Sequence, residues 1–379
     1  MNDYSEKGLL PAGLADMLPP AAAREARINR TLMEVFASNG YQQVKPPLIE
    51  FEEHLLEGAG AALASKMFRV MDPASHRMMG IRTDMTLQIA RVATTRMKQD
   101  PRPLRLSYAG QVLRVHGTQL RPERQFAQAG VELIGPAETA ADAELILLAA
   151  EALKALEIEK FSIDLTLPTL VPTLCSELEI DDETAQSARA ALDHKDAALL
   201  ADFETPLSTN LIALLKASGP AKQAIAALDA LSLPPESAAQ VEGLKRVVEQ
   251  LETAAPELTL TIDPGEYRGF EYQTGLSFTV FARGVRGELG RGGRYLLMDG
   301  EPASGFTLFL DSLMRAVPRK VTDDRLYLPF GTSLEAGYGL RQDGWKTVAG
   351  LAPEQDIEAE ARRLHCGHLF GADGVKKLS

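Results

Sequence analysis

Two long strand-like segments joined by a short loop are the feature that most constrains the fold of this chain. Residues 107–115 and 123–134 both carry strand patterns, and the loop between them is too short for the crossover that parallel strands require. The two segments are therefore predicted to pair as antiparallel neighbours. A regular alternation of strands and helices is missing from the chain, which argues against a Rossmann fold. The sequence predicts an α+β fold, in which helices pack against an antiparallel sheet.

The other predicted elements fit this architecture. Residues 176–255 are rich in Ala, Leu, Asp and Glu, and they predict a helical insertion between two halves of the sheet. Asn39 and Gly40 supply a stop signal for the first helix. The further predictions are a helix over 21–38, a hairpin over 67–71 and 77–81, strands over 258–263 and 271–281, and a short mixed tail over 321–379.

Length and composition exclude several classes of protein. The chain has 379 residues, which favours two or three domains, and its net charge of −12 disfavours non-specific binding to a nucleic-acid backbone. No stretch is apolar enough for a membrane span, and the N-terminus does not resemble a secretory signal. Two cysteines are too few for a disulfide framework or a cysteine-rich zinc site. We therefore expect a cytoplasmic protein without a metal centre.

Polar residues interrupt the strand patterns at two places in the first half of the chain. Arg82, Asp84 and Thr86 crowd a strand-to-helix junction, where Asp84 is either a site residue or a helix cap. Gln128 and Glu132 lie at alternating positions on one face of a strand. That face is either exposed to solvent or a polar site, because buried Gln and Glu side chains are costly unless they are hydrogen-bonded.

A third polar segment lies in the second half of the chain. Residues 268–275 and 290–295 combine arginines with several glycines, which predicts either close approach of a ligand or a set of tight hairpins. Taken together, the three segments favour a site for a free amino acid. Side chains such as Asp84 and Glu132 can accept hydrogen bonds from an ammonium group, whereas Arg114 and Arg268 can pair with a carboxylate through two N–H groups.

The order of these segments resembles the histidyl-tRNA synthetase core, a class II synthetase fold with an antiparallel sheet flanked by helices. The resemblance is carried by RTDMT at 82–86, LR at 113–114, RQFAQAGVE at 124–132, RGFEY at 268–272, GGRY at 292–295 and GFTLFL at 305–310. It implies a synthetase-like core over residues 1–318, with the helical insertion at 176–255. Residues 319–379 then form a short C-terminal α/β tail without a full anticodon-binding domain.

The resemblance also implies roles for individual residues. Asp84 and Thr86 would hold the amino group of histidine, and Glu132 would face the imidazole. An ionised glutamate that accepts an imidazole N–H selects for ligands with that donor, because other ligands leave a buried carboxylate unpaired. The implied histidine-binding residues are Asp84, Thr86, Arg114, Gln128, Glu132, Arg268 and Tyr272.

The chain departs from the synthetase pattern where that pattern handles ATP. His116 stands where the second class II signature has a glutamate, and Ser312 stands where the third has an arginine. Gln273 replaces the second tyrosine of a pair expected after Arg268. A small hydroxyl cannot stabilise phosphate charge as a guanidinium does. We therefore expect a pocket that retains histidine recognition and has lost adenylation.

This combination resembles the regulatory subunits of ATP phosphoribosyltransferase, which are synthetase paralogues. The resemblance implies a non-catalytic chain, without a cofactor, that assembles with a short catalytic subunit and mediates feedback inhibition by histidine. That partner would condense ATP with phosphoribosyl pyrophosphate in the first step of histidine biosynthesis. The resemblance further implies a homodimer within a larger hetero-oligomer, and it argues against tRNA or a membrane as a partner.

Other functions stay open at this point. The chain could be an active histidyl-tRNA synthetase, a scaffold that binds no ligand, or a synthetase-like module of another specificity. The loop RPER at 121–124 could contact ATP, RNA or a partner protein. The acidic total favours a partner or a vestigial loop over RNA.

Overall fold

A nine-stranded sheet forms the centre of the larger of two units. The computed structural model describes residues 9–56, 64–119, 121–267, 273–318 and 325–378, and the chain divides into units Met1–Val317 and Pro318–Ser379. The strands of the first unit, numbered in chain order, are β1 (Gln42–Gln43), β2 (Ile49–Phe51), β3 (Arg69–Met71), β4 (Met78–Ile81), β5 (Leu104–Leu113), β6 (Gln125–Ile134), β7 (Phe161–Thr166), β8 (Gly219–Pro220), β9 (Thr259–Ile262), β10 (Ser277–Ala282), β11 (Gly290–Leu296) and β12 (Pro302–Phe309). The large sheet has the order β1-β5-β6-β12-β11-β10-β7-β9-β8.

The centre of this sheet is antiparallel, as the sequence predicts, but its margins contain parallel pairs. Each neighbouring pair from β5 across to β7 is antiparallel, including the predicted pair β5 and β6. In contrast, β1 pairs parallel to β5, and β9 pairs parallel to β7. Long connections separate the members of both parallel pairs, and such crossovers are what parallel pairing requires. The prediction of an antiparallel sheet is therefore correct for the centre and incomplete at the margins.

Eleven helices of the first unit lie within the described ranges. They are α1 (Ala21–Ser38), α2 (Glu52–Leu56), α3 (Thr86–Thr95), α4 (Thr139–Ala155), α5 (Leu170–Glu177), α6 (Asp182–Asp193), α7 (Ala197–Ala201), α8 (Leu207–Lys216), α9 (Ala221–Asp229), α10 (Pro235–Ala254) and α11 (Leu310–Ala316). The predicted bounds of α1 are confirmed, and Gly40 follows it with a φ of 82°. None of the helices in these ranges is both long and apolar enough to span a membrane.

The two faces of the large sheet differ in chemistry. On one face, apolar residues of β6 such as Val131 pack with Leu32 and Phe36 of α1 and with the buried residues of α4. On the other face, Met85 and Ile89 at the start of α3 cover a smaller apolar cluster that includes Tyr108 and Tyr295. Because side chains alternate between faces along a strand, the polar residues of β6 point towards the α3 side.

A small separate sheet stands beside α3. It has the order β2-β4-β3, with both pairs antiparallel, and the pairing of β3 with β4 confirms the predicted hairpin. Several large apolar side chains of this sheet are exposed, including Met71 at 58% and Val70 at 42%. Exposed apolar patches of this kind mark interaction sites.

The second unit is a small α/β fold. Its elements are β13 (Arg325–Leu328), α12 (Leu334–Gln342), β14 (Lys346–Ala349), α13 (Ile357–Arg363), β15 (His368–Gly371) and β16 (Gly374–Lys377). The strand order is β14-β13-β15-β16; β13 pairs parallel with both neighbours, and β16 pairs antiparallel with β15. Its core is formed by buried residues that include Tyr327, Ala361 and Cys366.

Candidate amino-acid-binding site

A cluster of buried polar side chains lies on the α3 side of the large sheet, at its centre. Gln128 is 0% exposed and Glu132 is 1% exposed. The alternative that this face of β6 is open to solvent is therefore wrong. Both side chains share the face with Gly130, as their spacing predicts.

Two tyrosine hydroxyls hold the Glu132 carboxyl group. The Tyr108 hydroxyl donates to Oε1 at 3.1 Å, and the Tyr295 hydroxyl donates to Oε2 at 2.8 Å. The Tyr108 hydroxyl also lies 2.7 Å from the Thr307 Oγ1 and 3.3 Å from the Thr86 Oγ1. The side chains come from β5, β6, β11, β12 and α3, so the cluster depends on the register of four strands.

Glycines make room for this cluster. Gly305 lies opposite Glu132 in the β6–β12 ladder, and a Cβ atom on Gly305 would stand 1.8 Å from the Glu132 Oε2. A Cβ atom on Gly130 would stand 2.6 Å from the Tyr108 hydroxyl oxygen. Any side chain at either position would therefore displace the carboxyl or the hydroxyl that faces it.

Asp84 connects the sheet to α3. The Gln128 Nε2 donates to the Asp84 Oδ2 at 3.0 Å, and the Thr86 N–H donates to the Asp84 Oδ1 at 2.9 Å. The Asp84 carboxylate therefore supports the first residue of the helix and also belongs to the polar cluster. The Gln128 Oε1 is buried and has no hydrogen-bond partner among the described residues. This oxygen is therefore a buried acceptor for which the described residues supply no donor.

Arg82 has a structural role despite its place in the same sequence segment. It is buried and donates to the backbone carbonyls of Pro46 at 3.1 Å and Gln111 at 2.8 Å. It also lies 3.3 Å from the Gln88 Oε1. These contacts fix the chain around α3 and occupy the guanidinium.

Arg114 lies at the other end of the cluster from Glu132. Its Nε donates to the Thr83 carbonyl at 3.3 Å, and its guanidinium lies 5.0 Å from the centre of the Phe126 ring. No salt bridge joins Arg114 to a carboxylate within the described ranges of the chain. Burial lowers the pKa of Arg114, and the neighbouring Asp84 opposes that change. The guanidinium therefore has N–H groups available to an anionic ligand.

The structure brings together five of the seven residues assigned to the site by resemblance. Asp84, Thr86, Gln128 and Glu132 form one cluster with Arg114 beside it. Arg268 and Tyr272 lie outside the described residues. The Gln273 Oε1, next along the chain, is buried and has no described partner.

Sequence reasoning missed three side chains of the cluster. Tyr108 is not among the residues that the sequence analysis names, and Tyr295 and Thr307 appear there only within the motifs GGRY and GFTLFL. Tyr108 and Thr307 both lie opposite Gly130, in neighbouring strands. Alternation along β5 gives no signal for Tyr108, because that residue shares its face of the strand with apolar side chains. The strand register that joins Tyr108 and Thr307 cannot be read from the sequence.

The electrostatics of the cluster are set by burial. Removal of Glu132 from water raises its pKa to about 8, although hydrogen bonds from Tyr295, Thr86 and Tyr108 oppose the change. Burial also raises the pKa of Tyr108 well above its usual value. Without a ligand, the centre of the cluster is therefore neutral at neutral pH, and Glu132 can change its charge when a cationic group approaches.

Comparison with known proteins places this geometry in a family. The profile of the family described as histidyl-tRNA synthetase matches residues 13–313. The ATP phosphoribosyltransferase regulatory subunit of Rhodospirillum centenum is 57% identical over 98% of this chain and 96% of its own length. The chain belongs to the ATP phosphoribosyltransferase regulatory subunit family. This membership supports a regulatory role within ATP phosphoribosyltransferase.

Solved structures confirm the class II synthetase-like fold. A Bacillus halodurans protein, titled an ATP phosphoribosyltransferase regulatory subunit/histidyl-tRNA synthetase, superposes with a TM-score of 0.80 at 24% identity, over 94% of this chain and 96% of its own. Histidyl-tRNA synthetase from Nostoc sp. PCC 7120 superposes with a TM-score of 0.81 at 19% identity, over 97% of this chain and 92% of its own. These likenesses show the fold.

Two of the departures from the synthetase pattern, His116 and Ser312, have different structural settings. His116 is exposed, in the loop that follows β5. Ser312 is 1% exposed, and its Oγ accepts hydrogen bonds from Arg315 at 2.9 Å and from Arg121 at 3.3 Å. Both acceptor positions of the buried Ser312 hydroxyl are therefore used by neighbouring arginines.

The pKa of Glu132 predicts how stability depends on pH. Because the pKa is about 8 in the folded chain and 4.5 is the ordinary value, the stabilisation by neutral Glu132 is fully present below 4.5 and is lost as pH rises through 8. Glu132→Gln keeps a neutral side chain at every pH. We expect the unfolding free energy of Glu132→Gln, measured relative to the wild type, to rise by up to about 1.4 kcal/mol per pH unit as the pH increases between these two pKa values. Denaturant titrations without ligand, from about pH 5 to about pH 9, measure it. Parallel stability curves for the two proteins would contradict the assignment.

Proposed function

We propose that this chain is the histidine-binding regulatory subunit that works with a short catalytic subunit of ATP phosphoribosyltransferase. The partner would condense ATP with phosphoribosyl pyrophosphate in the first step of histidine biosynthesis. This chain would perform no chemistry, would use no cofactor and would mediate feedback inhibition in the cytoplasm. The observation that carries the proposal is the buried Glu132 carboxyl between two tyrosine hydroxyls, with the Asp84–Gln128 pair beside it.

The chemistry of the cluster matches histidine at two points. Glu132 is the group for the imidazole, because a carboxylate in a dry site binds an N–H donor more strongly than a neutral acceptor does. Asp84 and the unpartnered Gln128 Oε1 are the groups for the ammonium, because both offer acceptors on the same side of the sheet. A ligand that lacks either donor would leave a buried acceptor unsatisfied, which disfavours its binding.

Arg114 is the group for the ligand carboxylate. Its guanidinium has no carboxylate partner in the described part of the chain, and its only described hydrogen bond is made by Nε. A bound carboxylate would offset the positive charge that the protein leaves unpaired there. Arg268 is assigned the same role by its place in the sequence motif alone.

The settings of His116 and Ser312 favour a regulatory subunit over an active synthetase. Adenylation requires groups that orient and neutralise the phosphates of ATP. His116 supplies no carboxylate and Ser312 supplies no guanidinium at the two positions where the synthetase pattern has them. We therefore propose that the chain binds histidine without activating it, and that tRNA is not its partner.

The exposed face of the small sheet supports a homodimer within the larger assembly. Met71 and its cross-strand partner Met78 expose apolar surface on this face, whereas Val70 and Ile49 expose apolar surface on the opposite face, and Leu48 precedes the sheet. A cavity of about 770 Å³ lies alongside, between residues such as Phe51 of β2 and Val92 of α3. A second copy of this chain on this face would remove the apolar surface from water.

Histidine binding tests the assignment of Glu132. Glu132→Ala removes a buried acceptor for the imidazole, so we expect the affinity for histidine to fall by roughly 10- to 100-fold. The matched control is Glu144→Gln, because Glu144 also accepts a tyrosine hydroxyl, from Tyr41 at 2.9 Å, but lies on α4 across the sheet. Isothermal titration calorimetry with histidine measures both. Equal affinities in the wild-type chain and Glu132→Ala would show that the pocket lies elsewhere, and no binding by the wild type would favour a scaffold.

Mixing with the catalytic subunit tests the regulatory role. We expect phosphoribosyl transfer to rise as this chain is added and to fall again when histidine is added, with the loss reduced in Glu132→Ala. Formation of phosphoribosyl-ATP, followed by its absorbance, measures both effects. Activity that stays flat across all ratios would contradict the role, and histidine-dependent pyrophosphate exchange by this chain alone would establish the synthetase alternative.

Sedimentation tests the dimer. Met71→Glu places a charge on the exposed apolar face, so we expect it to shift the wild-type dimer towards monomer, because an unpaired buried charge is costly. Met298→Glu is the control, because Met298 is 68% exposed in the turn between β11 and β12. A monomeric wild-type chain, or a dimer that Met71→Glu leaves intact, would rule out this interface.

A further inference from the structure

The loop at 121–124 turns its arginines towards the protein instead of towards solvent. The Arg121 side chain is 10% exposed, and its Nε donates to the Asp311 Oδ2 at 2.9 Å. Arg124 donates to the carbonyls of Arg114 at 3.2 Å and Ala12 at 3.0 Å. These two side chains therefore bond within the chain, and they do not support a contact of the loop with ATP, RNA or a partner protein.

Arg121 covers the end of the polar cluster. Its guanidinium lies 3.9 Å from the centre of the Phe309 ring and 4.8 Å from the centre of the Phe126 ring. The two rings meet edge to face at 6.2 Å. Phe309 lies directly opposite Gln128 in the β6–β12 ladder, so both rings share the face that carries Gln128 and Glu132.

The position of this aromatic group limits the length of the pocket. Along β6 the same face presents Glu132, Gly130, Gln128 and then Phe126. At about 3.3 Å per residue, Glu132 and Gln128 are roughly 13 Å apart at the backbone, and Phe126 follows roughly 7 Å further on. On the proposed function, the first interval, where the Tyr108 hydroxyl lies over Gly130, is the place of one amino acid. The second interval is filled by Phe126, Phe309 and Arg121.

Asp311 fixes Arg121 in this place. The pair is nearly buried, with both side chains about 10% exposed, and Arg121 also lies 3.3 Å from the Ser312 Oγ. A buried ion pair with further hydrogen bonds resists separation, because removal of one partner leaves an uncompensated charge. The charge of Arg121 is thus used inside the protein, whereas that of the adjacent Arg114 is left for a ligand.

We infer that Arg121, held by Asp311 over Phe309, is the wall that ends the pocket and restricts its ligand to an amino acid with a free α-carboxylate. An amino acid whose carboxyl group is extended, as in an aminoacyl nucleotide, would have to displace Arg121 from its ion pair. The inference rests on the proposed histidine site and adds the residue that sets the length of its ligand. It also gives a steric reason for the loss of adenylation, beyond the motif departures.

Two ligands distinguish a closed pocket from an open one. Calorimetry with histidine and with its non-hydrolysable sulfamoyl-adenosine conjugate gives a preference ratio for each variant. We expect the wild-type chain to prefer histidine by about 100-fold or more, because the conjugate clashes with the wall. Arg121→Ala removes the side chain that forms the wall, so its preference for histidine over the conjugate should fall at least tenfold. Arg121→Met keeps most of the side-chain volume, so its preference should stay close to that of the wild type.

Two further variants complete the design. Arg102→Ala is the control, because it also removes a partly buried arginine–carboxylate pair, with Glu301 at 2.7 Å, but at the opposite end of β6. Its preference ratio should stay within about twofold of wild type. Asp311→Asn removes the ionic partner of Arg121 without shortening the arginine, so it should also lower the preference for histidine. This variant supplies the measurement if Arg121→Ala does not fold.

The possible outcomes separate the Arg121 wall from the histidine site. A preference unchanged in Arg121→Ala, or in Asp311→Asn where that variant is needed, overturns the wall and leaves histidine binding in place. A wild-type chain that prefers the conjugate overturns both the wall and the regulatory reading. Binding of neither ligand by wild type, with the conjugate bound by Arg121→Ala, supports the wall and removes the histidine site. Binding of neither ligand by any variant overturns both.

Discussion

The burial of one carboxyl group at the centre of the sheet is the constraint on which the rest of the site depends. A buried carboxyl is costly unless hydrogen bonds satisfy it, and Glu132 meets this requirement through Tyr108 and Tyr295. Those hydroxyls reach it only because Gly130 and Gly305 have no side chain that would occupy the same space. The same burial raises the pKa of Glu132, so that a ligand which offers an N–H or a positive charge finds a group able to respond.

On the proposed function, regulation by histidine would act through linkage. If histidine binds one assembly state better than another, the catalytic partner and its substrates must alter the affinity for histidine by the same factor. A coupling free energy of about 1–3 kcal/mol is typical of such effects. Asp84 is well placed to transmit ligand binding, because its two oxygens join Gln128 of the sheet to the first residue of α3.

Local patterns predicted the elements and part of the site, whereas long-range pairing had to come from the structure. Apolar spacing gave the bounds of α1, and the alternation of Gln128 with Glu132 identified the polar face of β6. The pairing of β5 with β6 is predicted, but the register that sets Tyr108 beside Glu132 is not. Thr307 was missed because its contact with Tyr108 joins strands that are far apart in the chain. The inward position of Arg121 could not be predicted, because its partner Asp311 follows it by 190 residues. The parallel margins of the sheet depend on crossovers that no short pattern reveals.

The origin of the Glu132 cluster in distant parts of the chain has a consequence for the lifetime of the protein. Tyr108, Glu132, Tyr295 and Thr307 meet only when β5, β6, β11 and β12 are assembled, so the unfolded chain has no equivalent site. A ligand that binds only the native state stabilises it by RT ln(1 + [L]/Kd), which is about 2.7 kcal/mol at a hundredfold excess over Kd. On the proposed function, abundant end product would therefore protect its own sensor from unfolding and proteolysis, and starvation would leave that sensor easier to degrade.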